Sequence, residues 1–182
     1  MLINKKYLGL YSPLPGLGNY NFDEIMLYQP IAIKIWLQPI LGDAFLESLE
    51  YMVENNQVSE EASTLFTEGG LYQYLAYAMC LEGLPFIWSN FSEVGITLGE
   101  SEHSKSITLK DLTYIEAHLR RQVEFLKDAL IKWLCEHQES FPIFDPSGVC
   151  PCCNSCCGEK GLNNPNPDWK IYSTKKLCTE LL

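Results

Sequence analysis

Residues 112–138 read LTYIEAHLRRQVEFLKDALIKWLCEHQ, and this stretch predicts one long helix from Thr108 to about Gln138. Its apolar residues recur at steps of three and four, which places them on one side of a helix. They are Leu112, Ile115, Leu119, Val123, Leu126, Leu130 and Leu134. Thr108 and Asp111 are an N-terminal signal, because both side chains stabilise the N–H groups of a first turn. A helix of this length, roughly 45 Å, needs partners along all of it.

An apolar helix is predicted near the start of the chain. It begins at Asp23, bends or restarts at Pro30 and runs to about Leu37. Its apolar residues occupy nearly every side of the helix, which predicts burial on several sides. They are Ile31, Ile33, Ile35 and Trp36. Residues 39–42, which contain a proline and a glycine, predict a tight break after it.

Further helices are predicted between this break and the long helix. One runs from Asp43 to Glu54 and another from Ser59 to Phe66, and each begins with a residue that favours a helix N-terminus. A third lies within residues 71–88, where tyrosines around the helix indicate that more than one side is covered. Gly83 and Pro85 are expected to end or kink it.

A small β element is predicted between the last two helices. Val94, Ile96 and Leu98 alternate with smaller residues, which is typical of a strand. Ile107 could close a short hairpin with it. The sequence therefore predicts a mainly α fold: a helical bundle built on the long helix, with a small β-hairpin or strand element.

The chain divides into three predicted regions. Residues 1–22 contain several prolines and glycines and are expected to form an extended arm. Residues 23–142 form the helical domain. Residues 143–182 form an irregular, cysteine-rich C-terminal tail, whose composition differs from that of the helices.

The charge distribution excludes several classes of function. The net charge is -10, and the sequence between Lys34 and Lys105 has acidic residues but no lysine or arginine. Tight binding to nucleic acid or to an anionic membrane needs a basic surface, so neither is expected. The apolar run near Lys34 is too short to span a bilayer. The N-terminus is a poor signal peptide, so we expect a protein made in a cytoplasm.

The sequence CPCCNSCC at residues 150–157 holds five of the eight cysteines. Zinc binds four thiolates, and CxxC spacing lets two of them converge on one ion. The candidate zinc ligands are Cys150, Cys153, Cys156 and Cys157, with Cys152 or Cys178 as substitutes. The spacing is not that of a zinc ribbon, because no second CxxC lies a dozen or more residues away. Disulfides, free thiols and an iron–sulfur cluster therefore stay open as alternatives to structural zinc.

The sequence carries no constellation that is typical of an enzyme. His103, His118 and His137 have no cysteine or carboxylate at the spacing of a nucleophile pair or ligand set. Cys80 and Cys135 lie within helical patterns and are expected to be small core residues. The carboxylates are scattered along predicted helices. We therefore expect no catalytic site.

The order of these segments resembles that of the small helical head–tail connector (adaptor) proteins of tailed bacteriophages, in particular the crAss-like phage type. The resemblance covers about residues 20–142. It rests on Gln29-Pro30 with Trp36–Gly42, on Leu71–Phe86 with its Leu84-Pro85-Phe86 ending, on Val94–Ser106, and on the long helix with Glu124-Phe125 and Trp133-Leu134-Cys135.

This resemblance implies a structural protein of a virion that is assembled in the host cytoplasm. About a dozen copies would form a ring with closed symmetry. The ring would contact the portal protein on one side and the next ring protein of the tail on the other, and would continue the DNA channel. An acidic lumen fits this role, because it lets DNA pass without binding it. The alternative is a zinc-stabilised protein-interaction or regulatory module.

Four basic side chains on the polar faces of the long helix are the candidate subunit contacts. We expect them to meet the acidic stretch 43–102 of the same or the next subunit. They are Arg120, Arg121, Lys127 and Lys132.

Overall fold

The computed structural model describes residues 1–13, 22–87, 89–92, 95–98 and 109–145. Within these residues the fold is mainly α, as predicted. The helices are α1 (Lys5–Tyr11), α2 (Phe22–Met26), α3 (Gln29–Ala32), α4 (Gln38–Leu41), α5 (Asp43–Glu54), α6 (Glu60–Thr67), α7 (Leu71–Ile87) and α8 (Leu109–Glu136). A π-helical turn, Ile33–Leu37, joins α3 to α4, and a 3-10 turn, Gln138–Ser140, follows α8.

The long helix is confirmed as α8, which spans 28 residues. Its predicted apolar side faces the core: Leu119, Val123, Leu130 and Leu134 are buried. The three other members of that side are half-buried and pack against the same core. The predicted start at Thr108 lies outside the described residues, and the helix ends at Glu136, two residues before the predicted end.

The centre of the core is α7 rather than α8. Nearly all of its side chains are apolar, and it packs against α1, α2, α3, α6 and α8. Its buried residues are Leu71, Tyr74, Leu75, Ala76, Ala78, Met79, Cys80, Leu81 and Leu84. Gly83 and Pro85 do not end the helix, which continues to Ile87 with Pro85 inside it. The alternative, a kink, stays a prediction. Among the described helices, none combines the length and the apolar character that a bilayer crossing requires.

The predicted extended arm is wrong for residues 5–11, which form α1. Asn4 caps this helix by accepting a hydrogen bond from the Tyr7 N–H at 3.1 Å. The apolar residues Leu2, Ile3 and Leu8 are buried in the core, which explains why the segment folds despite its glycine. Residues 14–21 of the predicted arm lie outside the described residues.

The sequence predicts a tight break over residues 39–42. The structure has a break only at Gly42. The helical path continues through Pro39 to Leu41 and turns only at Gly42, whose φ of 73° is a conformation that favours glycine. The π-helical turn just before Pro39 accommodates the proline. There the N–H of Gln38 donates to the carbonyl of Ile33, one residue further back than in an α-helix.

The helices α5 and α6 agree with the prediction. Phe45, Leu46 and Leu49 of α5 are buried, and Asn56, with φ 53°, ends the turn that follows. The Ser59 Oγ accepts a hydrogen bond from the Ala62 N–H at 3.1 Å, which caps α6.

Two short antiparallel strands follow α7. They are β1 (Ser89–Ser92) and β2 (Gly95–Leu98), and Ser89 pairs with Leu98 at the open end. The strand predicted around Ile96 is therefore β2, and its partner is β1, which precedes it in the sequence. The other suggested partner, Ile107, lies outside the described residues.

The helical domain extends beyond the predicted boundary at residue 142. Phe141 and Phe144 are buried, and both rings lie against Phe45, with centroids 5.6 and 6.2 Å away. The rest of the predicted tail, from residue 146 onward, lies outside the described residues.

The central position of α7 makes a testable prediction for stability. Leu75 is fully buried, so we expect Leu75→Ala to lower the free energy of unfolding by about 3 kcal/mol. The matched change Leu10→Ala removes the same atoms from a side chain that is 67% exposed, and should change stability by less than about 0.5 kcal/mol. Urea denaturation followed by circular dichroism measures both. Equal effects would contradict the assignment of α7 as the centre of the core.

Candidate assembly surfaces

The candidate zinc ligands Cys150, Cys153, Cys156 and Cys157, and the substitutes Cys152 and Cys178, lie outside the described residues, as does His103. Within the described ranges, no group of three or more His, Cys, Asp or Glu side chains is arranged to hold a metal ion. The zinc site therefore stays a prediction.

The two cysteines of the helices are accounted for by packing. Cys80 is buried in α7, and its burial raises the pKa of the thiol to about 12, so the thiol is neutral at pH 7. Cys135 is half-buried and packs against the core. Both positions agree with the prediction of small core residues.

A cavity of about 100 Å³ lies where α5, the start of α6 and the residues after α8 meet. Its walls are mainly apolar and include Phe45, Leu49 and Met52. Ligand pockets in proteins are commonly about 300 Å³ or larger. The cavity is therefore a packing feature of the helical domain.

The four basic side chains of α8 do not share one environment. Arg120 donates from Nη2 to the Glu116 Oε1 at 3.0 Å, and its guanidinium lies 6.0 Å from the centre of the Trp36 ring. Lys127 Nζ lies 2.7 Å from the Glu124 Oε2, and its side chain is only 34% exposed. Both residues sit beside the buried side of α8 and bind groups of their own chain.

Trp36 joins three helical segments, which explains the position of Arg120. Its Nε1 donates to the Glu82 Oε1 of α7 at 2.9 Å, and its carbonyl accepts from the Tyr74 hydroxyl at 2.8 Å. The Tyr74 side chain is buried, which raises the pKa of its hydroxyl and keeps it a donor. Arg120 adds α8 to this junction through its contact with the Trp36 ring.

Arg121 and Lys132 belong to a row of exposed residues along the side of α8 opposite its buried residues. Successive members are three or four residues apart, so they share one face. The members of this outer stripe of α8 are Lys110, Tyr114, His118, Arg121, Phe125, Asp128 and Lys132, all exposed. Tyr114 is 74% and Phe125 69% exposed, which is unusual for aromatic side chains. The stripe is therefore basic and aromatic.

A second row of exposed residues lies on α5, opposite its buried side. The members of this outer stripe of α5 are Asp43, Glu47, Tyr51 and Glu54, spaced by four, four and three residues. Tyr51 is 62% exposed. Glu54 lies 3.6 Å from the N-terminal amine, and Asp43 accepts from the Gln38 Nε2 at 2.5 Å. The stripe is acidic with one aromatic residue.

A third exposed row is aliphatic and begins in the turn before α3. Leu27, Ile31 and Ile35 are spaced by four residues and are 77, 46 and 47% exposed. We call these residues the α3 stripe. The sequence predicted burial on several sides for this segment, and this is wrong for Ile31 and Ile35. Ile33 and Trp36 are half-buried and pack against the core on the opposite side. Beside it the rings of Tyr28 and Phe86 stack, with centroids 5.7 Å apart.

Comparison with known proteins gives one match. Residues 37–154, more than half of the chain, match the family of unknown function DUF6712. The chain belongs to this family. No curated protein and no solved structure matches it. The DUF6712 match includes α4 to α8 and the first three cysteines of the cluster, whereas the α3 stripe lies ahead of it.

Sequence reasoning grouped the four basic residues by charge and missed the exposed rows. The signal was available: Tyr114, Phe125 and Tyr51 all lie at helical spacing opposite the predicted apolar side. Nothing in the local sequence identifies Trp36 as the partner of Arg120, because the two residues are far apart along the chain.

The unequal environments of adjacent arginines give a second prediction. Arg120→Ala removes the contact with Trp36 and the pair with Glu116, so we expect it to lower the free energy of unfolding by about 1 kcal/mol. Arg121→Ala, one residue away on the exposed face, serves as the matched control and should have almost no effect on the folded monomer. Chemical denaturation at low protein concentration measures both. If Arg121→Ala lowered the free energy of unfolding more than Arg120→Ala, the assignment of Arg120 to the core side and Arg121 to the exposed face would be wrong.

The zinc prediction is tested by the metal content of the full-length protein purified under reducing conditions. Four-thiolate coordination predicts about one zinc per chain, lost on chelation and in the variant Cys150→Ser with Cys153→Ser. The control Cys135→Ser changes a cysteine of α8 and should retain the metal. Less than about a tenth of a zinc per chain, unchanged by chelators, would exclude structural zinc.

Proposed function

We propose that this member of the DUF6712 family is a virion structural protein that forms a homo-oligomeric ring between the portal and the tail of a bacteriophage. The ring acts as a head–tail connector and continues the DNA channel. The observation that carries the proposal is the α3 stripe, in which three exposed aliphatic side chains recur at steps of four residues.

The α3 stripe needs a partner for a physical reason. Three exposed aliphatic side chains on one helical face cost free energy in water, about 25 cal/mol for each Å² of apolar surface. Contiguous exposed apolar surface typically marks a contact with another protein. In a ring, a second copy of the chain covers this surface as one part of the contact that every copy repeats.

The charge of the chain supports a channel through which DNA passes. Helix α6 begins with Glu60 and Glu61, and the sequence between Lys34 and Lys105 contains no lysine or arginine. Acidic surfaces repel the phosphate backbone, so DNA can slide past them without being held. We accordingly expect no specific DNA binding, and no catalytic step is part of the proposal.

The order of segments supports the same function. The resemblance to head–tail connector proteins covers about residues 20–142, and the α3 stripe, α7 and α8 all fall within that range. The expected partners are the portal protein above the ring and the next ring protein of the tail below it. The site of action is the virion.

The alternative is a zinc-stabilised interaction or regulatory module. It rests on the cysteine cluster, which begins inside the residues that match the family. Deleting residues 146–182 separates the two functions. A regulatory module that acts through the cysteines would lose all partner binding, whereas a connector would keep its folded helical domain and form at least partial rings.

The connector proposal predicts that the purified chain associates and that the α3 stripe is required. We expect ring-shaped particles by negative-stain electron microscopy and co-purification with the portal protein. The double variant Ile31→Asn with Ile35→Asn should fold but remain monomeric by light scattering, because two polar amides would be buried without partners. The control Leu10→Asn places the same amide on another exposed position and should still assemble.

A chain that stays monomeric at all concentrations and never associates with portal would refute the connector function. Rings that form equally well in the Ile31 and Ile35 variant would show that the α3 stripe is not the contact.

A further inference from the structure

We infer that, in the ring proposed above, the outer stripe of α8 on one copy packs against the outer stripe of α5 on the next copy. This inference rests on the proposed function and specifies which surfaces of two identical chains meet. The occupant of each stripe is a second copy of this chain.

The charges of the two stripes are complementary. The outer stripe of α8 carries Lys110, Arg121 and Lys132 against one carboxylate, Asp128. The outer stripe of α5 carries Asp43, Glu47 and Glu54 and has no basic residue. Opposite charges on two surfaces accelerate their encounter and select the correct partner. Each stripe also disfavours a second copy of itself, because like charges would face each other.

The C-terminal half of the outer stripe of α8 matches the outer stripe of α5 in length. Arg121 and Lys132 are separated by 11 positions along α8, and Asp43 and Glu54 are separated by 11 positions along α5. Both pairs therefore span roughly 16 Å of helix. Arg121 and Lys132 can thus both lie close to carboxylates of the outer stripe of α5, one at each end of it.

Each stripe has an exposed aromatic residue between its terminal charges. Phe125 on α8 is 69% exposed, and Tyr51 on α5 is 62% exposed. Aromatic side chains at the centre and charged residues at the rim are the common composition of protein interfaces. Burial of the two rings would supply affinity, and the surrounding charges would set the orientation.

Contacts within one chain satisfy these stripes only in part. Lys132 lies 3.9 Å from Glu136 and Glu54 lies 3.6 Å from the N-terminal amine, and all of these groups remain exposed. Both helices bury the opposite side in the core of their own chain, with Leu49 of α5 and Val123 of α8 fully buried, so both stripes face outward. Arg121 has no ion pair within the described part of the chain. Since the two surfaces differ, joining them is a heterologous contact, which repeats from copy to copy and closes into a ring.

The test uses charge reversal on each stripe. We expect Arg121→Glu with Lys132→Glu to make both stripes acidic, and Glu47→Lys with Glu54→Lys to make both basic. Each variant should assemble only at protein concentrations about 100-fold or more above those of the unchanged chain, because like charges now meet in every contact. Mixing the two variants should restore assembly, since each stripe then meets an opposite charge on the other variant. The chain with all four changes should also assemble.

Controls separate the effect of charge at the stripes from a general effect of charge. Lys6→Glu and Glu68→Lys reverse exposed charges elsewhere and should assemble like the unchanged chain. Circular dichroism and thermal unfolding establish that every variant is folded. Light scattering and electron microscopy measure assembly.

Two failures are distinguishable. If the unchanged chain forms rings and both charge-reversed variants do so at the same concentration, or if mixing them restores nothing, this contact is wrong while the connector function stands. If the unchanged chain forms no assembly, the proposed function and the contact that depends on it are both refuted.

Discussion

The fold depends on the burial of α7, a helix with almost no polar side. Such a helix is stable in water only when other elements cover it all around. The helices α1, α2, α3, α6 and α8 supply that cover. Two polar groups of α7 form hydrogen bonds with Trp36: Glu82 accepts from its Nε1, and the Tyr74 hydroxyl donates to its carbonyl. The long α8 is one of several covering elements, although its length makes it the most prominent segment of the sequence.

This arrangement also determines which surfaces remain for other molecules. Each outer helix uses one side to cover the core and presents the other side to the surroundings. The exposed side of α8 is basic and aromatic, and that of α5 is acidic. The α3 stripe is aliphatic. Three surfaces of different chemistry on one chain suit an assembly with several distinct contacts. A protein with a single small-molecule site would need one concave pocket instead.

Much of this fold was predictable from the sequence, and the errors have identifiable causes. Periodicity and capping residues predicted α5, α6 and α8 because those signals are local. The helix α1 was missed because its stability comes from Leu8 and from residues that precede the helix, packed on distant parts of the chain. Pro39 predicts a break, because the π-helical turn that accommodates it cannot be recognised from residue types. The exposure of Ile31 and Ile35 was missed because an apolar pattern reveals which residues avoid water and not whether the same chain covers them.

Gly42 has a consequence for the shape of any assembly built from this chain. It is the single residue between α4 and α5, and its positive φ belongs to the turn that joins the two helices. The space around its α-carbon is open, so the constraint is conformational and not steric. In a circle of identical copies, a rotation of a few degrees at each joint is repeated by every member. In the proposed ring, a change of the backbone angle at Gly42 that altered the orientation of α5 would therefore change the curvature, and with it the number of copies and the width of the opening.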